Sequence, residues 1–522
     1  MKSIFKKIIF SSAVLLSLTS CEDFLSYNKF GEPSSDRFWQ TETDAQRAVD
    51  GLYFFMSQTG VVGRGFMHYY NCSDDVITGR TQAGCAAMKN FIANYSRDVV
   101  DNWPKMYQLI KLCNDIILNV PEMNIDEELK NNVLGQAYFF RGWAYFWIAP
   151  YYGDNDINGG IPIVNEGLAV ESLDVPREKS VRDNYSYCIE NFKKAEELLP
   201  YFDQLAAEDY GRPHKTACQA YIAKVALWDA QYDPSLLDTT IEYCDKVINS
   251  GKHSLLDSFE DVFKVENNFS SEYIFSFTSN EINGSILPGA MLENKGWGLY
   301  NGWGYFTPTI ELLNAFEKED RRLPATILQP GDMFDFLGTE KLYYSSESLS
   351  GMQFRKYMDP FKNSNAIGST VNPNGDYPTT SLNIPVMRYA EVLMMKAEAL
   401  IWQGKNGDEP LNKIRERAGL TALTNAGKED LIKERRCEFA GEFSNRMLDL
   451  LRWGIAKDYV EKPLHGYAVT PKVAEPKNIE DLEITVIECW AERSFDKSVN
   501  HVFPIPANEI AKSKNLKQNR GY

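Results

Sequence analysis

Ala137-Tyr-Phe-Phe-Arg-Gly-Trp-Ala-Tyr-Phe146 lies inside a long run that reads as one helix from about Leu129 to Ala149. Its small residues, Ala137 and Ala144, mark the point where a neighbouring helix crosses closely. The same device recurs as Ala217, Ala220 and Ala223 in a helix over Lys215–Gln231, and as Ala390, Ala397 and Ala399 in one over Arg388–Gln403. Helices that arrive as antiparallel pairs with small residues at their crossings stack in the manner of tetratricopeptide repeats. No strict period of about 34 residues is present, so on pattern alone an unrelated helical bundle stays open.

Working outward, Thr41 is placed to cap a helix with Asp44 three residues on. Ala45, Ala48, Val49, Leu52 and Met56 then recur at helical spacing. Trp103, Met106, Tyr107, Ile110, Cys113 and Ile117 line one face of the next helix. Further helices are predicted over Val181–Leu199, Thr239–Ser250, Glu409–Ala418 and Glu429–Trp453, punctuated by Gly153, Pro200, Gly251, Gly404 and Gly419. Between them, residues 57–100, 153–180, 252–384 and 454–522 are dense in Gly, Pro, Asn and Ser, with only short strand-like runs such as Tyr273–Phe277. The expected fold is mainly α, a scaffold of helical pairs carrying long irregular insertions. Loops of that length inside a compact protein are usually functional.

The N-terminus reads as an export signal. Lys2, Lys6 and Lys7 precede an apolar run, Ile8–Leu18, and then Leu18-Thr19-Ser20-Cys21. The run is shorter than the roughly 20 residues a permanent span requires. Small residues before Cys21 suit a peptidase that removes residues 1–20, and the cysteine resembles a bacterial lipobox whose thiol and freed amine are acylated. Several acyl chains anchor stably where one does not. The formal charge of −17 becomes about −20 without the three signal lysines, a surface that repels nucleic acid and anionic lipid. Of the remaining cysteines, Cys113, Cys188, Cys218 and Cys244 fall in helix-patterned segments as small core residues. Cys72 and Cys85 flank a loop and are a candidate disulfide in an oxidising compartment.

Several blocks, in order, carry a family resemblance. They are Cys21-Glu-Asp-Phe-Leu25, Phe38-Trp39 and Trp103-Pro-Lys-Met-Tyr-Gln-Leu-Ile110 with Asn114, then the Ala137–Phe146 stretch with Tyr152-Gly153 and Gly160-Ile-Pro-Ile-Val164. Ile384-Pro-Val-Met-Arg-Tyr-Ala-Glu-Val-Leu393, Leu411-Asn-Lys-Ile-Arg-Glu-Arg-Ala-Gly419 and Glu434-Arg-Arg-Cys-Glu-Phe439 follow. Arg446 with Asp449-Leu-Leu-Arg-Trp-Gly454, then Phe503-Pro-Ile-Pro506 and Gln518-Asn-Arg-Gly-Tyr522, close the set. Across residues 21–522 the chain resembles the SusD/RagB family of surface lipoproteins. The resemblance implies a tetratricopeptide-like scaffold with ligand-binding insertions around 57–100 and 252–384. It implies an outer-membrane, lipid-anchored, surface-facing protein that captures a glycan or oligosaccharide and acts as the lid of a SusC-like TonB-dependent transporter. A peptide or another non-glycan nutrient is the alternative cargo. Arg388, Glu391, Arg435, Arg436, Glu438 and Asp449 are expected to form ion pairs between helices rather than to touch ligand.

Catalysis finds little support. No H-E-x-x-H, G-x-S-x-G, Walker loop or dinucleotide fingerprint is present. His68, His214, His253, His465 and His501 are scattered, so no metal site is expected. No cofactor is called for, and a structural calcium ion stays open. Binding is better served, because a sugar site needs flat aromatic platforms beside short polar side chains. Gly296-Trp-Gly-Leu-Tyr-Asn-Gly-Trp-Gly-Tyr-Phe306 carries that mixture in Trp297, Tyr300, Trp303 and Tyr305, with Phe306 the one expected in the core. Asn71, Asp74, Asp75 and Arg80 are candidates for its polar edge, Asp75 having an alternative structural role.

Overall fold

The computed structural model describes residues 38–56, 61, 67, 69–79, 85–92, 102–168, 174–280, 292–294, 297, 302–362 and 380–522. Cys21 and the signal segment lie outside them. The principal helices are α1 (Glu42–Met56), α2 (Asn102–Asn119), α3 (Glu127–Tyr152), α4 (Val181–Leu198), α5 (Lys215–Asp229), α6 (Leu236–Asn249), α7 (Tyr389–Trp402), α8 (Asp408–Arg417), α9 (Lys428–Phe439) and α10 (Arg446–Arg452). Each packs on its neighbour in sequence from α1 to α8, and α9 closes on α7. That serial stacking is the helical-pair scaffold the small residues predict.

Local chemistry accounts for the helix ends. The Thr41 amide donates to Asp44 at 2.9 Å and the Asp44 amide to the Thr41 hydroxyl at 3.2 Å, the expected reciprocal cap of α1. Asp126 caps α3 by accepting from the Leu129 amide at 3.0 Å. In α3, Ala137 and Ala144 are fully buried, but the crossing on α4 is made by a glycine. A Cβ on Gly142 would stand 3.2 Å from both the Asn191 Cβ and the Cys188 carbonyl oxygen. One helix expected to be continuous is broken. The chain leaves α9 at Phe439, passes Gly441 in the left-handed region at φ +75°, and re-enters helix where Asn445 accepts from the Met447 amide. The break turns Glu442 inward.

Among the described residues ten short strands pair as five separate antiparallel ribbons. They are β1 (Val76–Thr78), β2 (Tyr273–Phe277), β3 (Phe306–Pro308), β4 (Ile327–Leu328), β5 (Met333–Phe336), β6 (Thr339–Leu342), β7 (Gln353–Phe354), β8 (Ile384–Arg388), β9 (Leu464–Pro471) and β10 (Leu482–Trp490). The pairs are β1 with β3, β2 with β8, β4 with β7, β5 with β6 and β9 with β10. The β9–β10 hairpin lies in a region whose sequence reads as loop.

Around α9 the scaffold buries a charge network. Arg322, Lys356, Arg388, Arg415 and Arg417 face Glu272, Asp320, Glu434, Glu438 and Glu442, all buried. Arg388 reaches Glu272 at 2.7 Å, Glu438 at 2.9 Å and Glu442 at 2.7 Å, and Lys356 meets Glu442 at 2.6 Å. Burial alone would raise the Glu438 pKa, but Arg417, Arg388, Arg322 and Lys356 overcome it and hold the carboxyl well below the usual range. A second set joins Lys224 and Arg435 to Glu391, and Arg435 and Arg452 to Asp449. The six residues expected to make structural ion pairs all do so, Arg436 with Asp74 and Asp75.

Candidate functional site

Two loop regions distant in sequence meet in one ribbon. In β1 and β3, Val76 pairs with Pro308, Ile77 with Thr307 and Thr78 with Phe306. The Gly79 amide continues the ladder to the Tyr305 carbonyl at 2.9 Å, and the Thr309 amide donates to the Asp75 carbonyl at 2.9 Å. Thr309 also donates its hydroxyl to the Asp74 carbonyl at 2.8 Å. The approach is tight enough to demand glycine: a Cβ on Gly79 would lie 1.9 Å from the Gly304 carbonyl oxygen, and Gly304 itself has φ +52°. Residues 71–79 of the first patch and 302–306 of the second are therefore neighbours.

Their side chains divide differently from expectation. Trp303 is partly buried, its ring 5.6 Å from that of Tyr305 and inclined at 49°, so part of its surface stays open at the end of the ribbon. Trp297 is corrected: it is 1% exposed and packs with Phe334, Phe336, Tyr343 and Phe361. Its indole N–H donates to the Leu342 carbonyl at 3.0 Å. Tyr305 is likewise buried, as is Phe306, the latter as expected. Tyr300 and Arg80 lie outside the described residues.

The polar candidates Asn71, Asp74 and Asp75 are also corrected: all three are buried, and both carboxylates are already engaged. Asp74 receives Arg436 at 2.8 Å and Arg446 at 3.1 Å; Asp75 receives Arg436 at 2.6 Å and the Tyr70 hydroxyl at 2.8 Å. Burial would raise the Asp74 pKa, but the two guanidiniums outweigh it and hold it well below the usual range. Asn71 is buried and donates to the Cys85 carbonyl at 3.0 Å. The carbonyls of this turn are taken by two further buried basic side chains. Lys89 donates to Asn71 at 2.9 Å and Val76 at 2.6 Å, and Arg493 to Cys72 at 2.7 Å. The turn is thus a pinned structural element on which the ribbon stands. Cys72 and Cys85 are buried thiols rather than a disulfide, and burial pushes the Cys72 thiol up to about 12.

Glu293 was not singled out from sequence. It sits beneath the glycine segment, its carbonyl accepting from the Gly304 amide at 2.8 Å. Its carboxyl is fully buried, and neither oxygen is hydrogen-bonded among the described residues. Burial drives its pKa well above the usual range, against a smaller opposing effect of Lys341. A carboxyl raised on folding binds more protons in the native state than in the unfolded chain. Its contribution therefore turns unfavourable as pH rises above the ordinary carboxylate value. Glu293→Gln removes that titration. Thermal melts should show it matching the wild type near pH 4 and exceeding it by about 1–3 °C at pH 8. Trp490 was also missed: partly exposed, it donates to Asn90 at 2.9 Å and lies 5.7 Å from the Lys89 ammonium.

A separate concavity of about 700 Å³ lies along α2, between it and the segments at Pro162–Leu168 and Glu509–Leu516. Trp103, Tyr107 and Leu118 give it an apolar floor, and Lys111, Asp115 and Glu166 a polar rim. Among the described residues no group of three or more His, Cys, Asp or Glu is placed to hold a metal ion, and no helix is long and apolar enough to cross a membrane.

A family model described as SusD family matches residues 262–522, and one described as starch-binding associating with outer membrane matches residues 29–227. SusD-like protein P25 of Formosa agariphila is 26% identical over 501 residues, covering 87% of this chain and 91% of the relative. The starch-binding protein SusD of Bacteroides thetaiotaomicron is 24% identical over 417 residues, 67% of each chain. Among solved structures, a SusD-like protein from Bacteroides fragilis superposes with TM-score 0.77 at 25% identity, covering 94% of this chain and 99% of the other. Surface glycan-binding protein A from Bacteroides thetaiotaomicron, solved with laminarihexaose, superposes with TM-score 0.71 at 20% identity over 92% of this chain and 99% of the other.

Proposed function

The chain belongs to the SusD family, and from that premise we propose that it binds a glycan at the cell surface and delivers it to a TonB-dependent transporter. The observation that carries the binding site is the β1–β3 ribbon, which brings both loop patches together with the partly open Trp303 at its end. An aromatic ring fixed from behind by a buried one, Tyr305, is a rigid platform for the apolar face of a sugar ring. The names of the relatives support the ligand class, one being starch-binding and one solved with laminarihexaose. We read the site as one that binds: among the described residues the carboxylates near the ribbon are tied to arginines or buried beneath glycines, and none forms an open facing pair of the kind glycoside hydrolysis uses.

The test is calorimetry on the mature protein, with laminarihexaose first and a glycan array to widen the search. Trp303→Ala should cost about 1–3 kcal/mol of binding with an unchanged melting temperature. Leu118→Glu, in the concavity along α2, should leave binding intact. Unchanged affinity in Trp303→Ala removes the ribbon from the site, and loss of affinity in Leu118→Glu alone moves the ligand to the α2 concavity.

Anchoring and delivery follow from the lipobox-like Cys21 and from the family. A lipid-tethered protein with no pore must pass cargo to one that has a pore, and a lid needs a large lasting interface, on the order of 2,000 Å² or more. The protein, acylated at Cys21, should co-purify with a SusC-like barrel from native outer membrane in mild detergent. Recovery alone, with normal nutrient uptake in a deletion strain, would end the delivery reading.

A further inference from the structure

The β9–β10 hairpin ends in a strand with an open edge. The Tyr467 amide points away from β10, donating to the Ser350 carbonyl at 2.9 Å. Tyr467 pairs with Val486, so theirs is a non-hydrogen-bonded pair and the Val486 amide and carbonyl face outward on the far side of the ribbon. By the two-residue alternation of a strand, those of Ile484 and Glu488 do the same. On β9 the corresponding edge is covered by Ser350, which would meet a Cβ on Gly466 at 2.5 Å. On β10, residues 485–488 are exposed on both faces, and among the described residues no backbone group joins their outer edge.

Natural edge strands are guarded by charged residues, proline, a bulge or a covering element. Leu482-Glu-Ile-Thr-Val-Ile-Glu-Cys-Trp490 has neither lysine nor proline, and its guards, Glu483, Glu488 and the irregularity between Glu488 and Trp490, stand at its two ends and leave Ile484–Ile487 open between them. Val486 is 63% exposed and Ile487 39%. As consecutive strand residues they lie on opposite faces, and the exposed Val473, Ile479 and Met333 lie at the turn end of the hairpin. Ile479 and Met333 are brought to the same end because Ile479 lies on Gly331, 2.9 Å from where a Cβ would be.

We propose that the outer edge of β10 accepts an extended segment of a partner protein by strand addition, and that this segment is β-branched with a basic residue at each end. Backbone bonds to Ile484, Val486 and Glu488 supply affinity, and side-chain chemistry supplies selection. The charge decides the partner. The hairpin carries Glu475, Glu480, Asp481, Glu483 and Glu488 against Lys472 and Lys477. Glu483 and Glu488 bracket the apolar centre, five residues apart and therefore on opposite faces. A second copy would bring the same acidic brackets together across a two-fold axis, in a chain whose net charge is −17.

The probe is a labelled synthetic peptide, Lys-Val-Thr-Val-Thr-Lys, whose lysines reach Glu483 and Glu488; its Glu-ended counterpart is the control. Fluorescence anisotropy with the mature protein should show binding of the lysine peptide at least tenfold tighter than the control. Val486→Pro removes an outward amide and none of the hairpin's own bonds; it should weaken binding at least tenfold with an unchanged circular dichroism spectrum. The double variant Glu483→Lys/Glu488→Lys keeps the strand and should reverse the preference between the peptides. No binding to the wild type, equal binding of both peptides, or no reversal in the double variant would overturn the proposal. So would a wild-type dimer that Val486→Pro dissolves, since the edge would then serve a second copy.

Discussion

Arg388→Met should lower folding stability by about 3–5 kcal/mol. The side chain volume is nearly kept, so the loss is electrostatic. Arg388 is buried and bonds Glu272, Glu438 and Glu442 at 2.7–2.9 Å. Without it, three carboxylates share three remaining cations, Arg322, Lys356 and Arg417, of which Lys356 is already weakened as a base: burial pulls its pKa down to about 8 despite Glu442. Removing one member of a buried pair leaves desolvated charge that nothing offsets, whereas an exposed pair such as Lys194 with Glu190 contributes about 0–1 kcal/mol. Denaturant unfolding of Arg388→Met beside Lys194→Met measures both. Comparable losses in the two would show that the interior network carries no special share of stability.

Trp297→Ala should lower stability by about 3–5 kcal/mol, through lost packing. The indole sits 5.7 Å from Phe334, 5.5 Å from Phe336 and 5.1 Å from Tyr343, all edge-on, and its N–H is satisfied by Leu342. Deleting it leaves a cavity in a small cluster apart from the main core, so the β5–β6 ribbon should loosen first. Thermal melting and near-ultraviolet dichroism read the effect. An unchanged melting temperature would return Trp297 to the surface and to the list of ligand platforms. The contrast with Trp303 is sharp: two tryptophans six residues apart in one glycine-rich stretch are expected to answer different assays.

Both tryptophans looked alike as sequence because the glycines around them impose no periodicity. A helix announces its buried face through spacing, but an irregular loop does not. Asp74 and Asp75 were misassigned for a related reason. Adjacent acids in a polar loop resemble a ligand edge, and the arginines that claim them, Arg436 and Arg446, are more than 350 residues away. Arg436 is among the residues expected to make ion pairs and Arg446 is not; for Asp75 the structural alternative is the one that holds. The β9–β10 hairpin was missed although Leu482–Trp490 carries β-branched residues, because its surroundings are rich in Gly, Pro and Asn.

By itself the sequence determined most of the helices, the Thr41–Asp44 cap of α1, their assembly as stacked pairs and the family to which the chain belongs. All of these follow from local periodicity, small residues at crossings and short ordered blocks. The tertiary structure alone decided which loop aromatics are core and which are surface, and which charges are already paired. It also decided that the two insertions meet in one ribbon. The burial of Trp297 depends on Phe334, Phe336 and Tyr343, outside its own glycine-rich stretch. The ribbon and the charge pairing depend on contacts between segments some 230 to 370 residues apart, β1 on β3 and Arg446 on Asp74. Close approach at that range is set by how the whole scaffold packs, and no short window of residues encodes it.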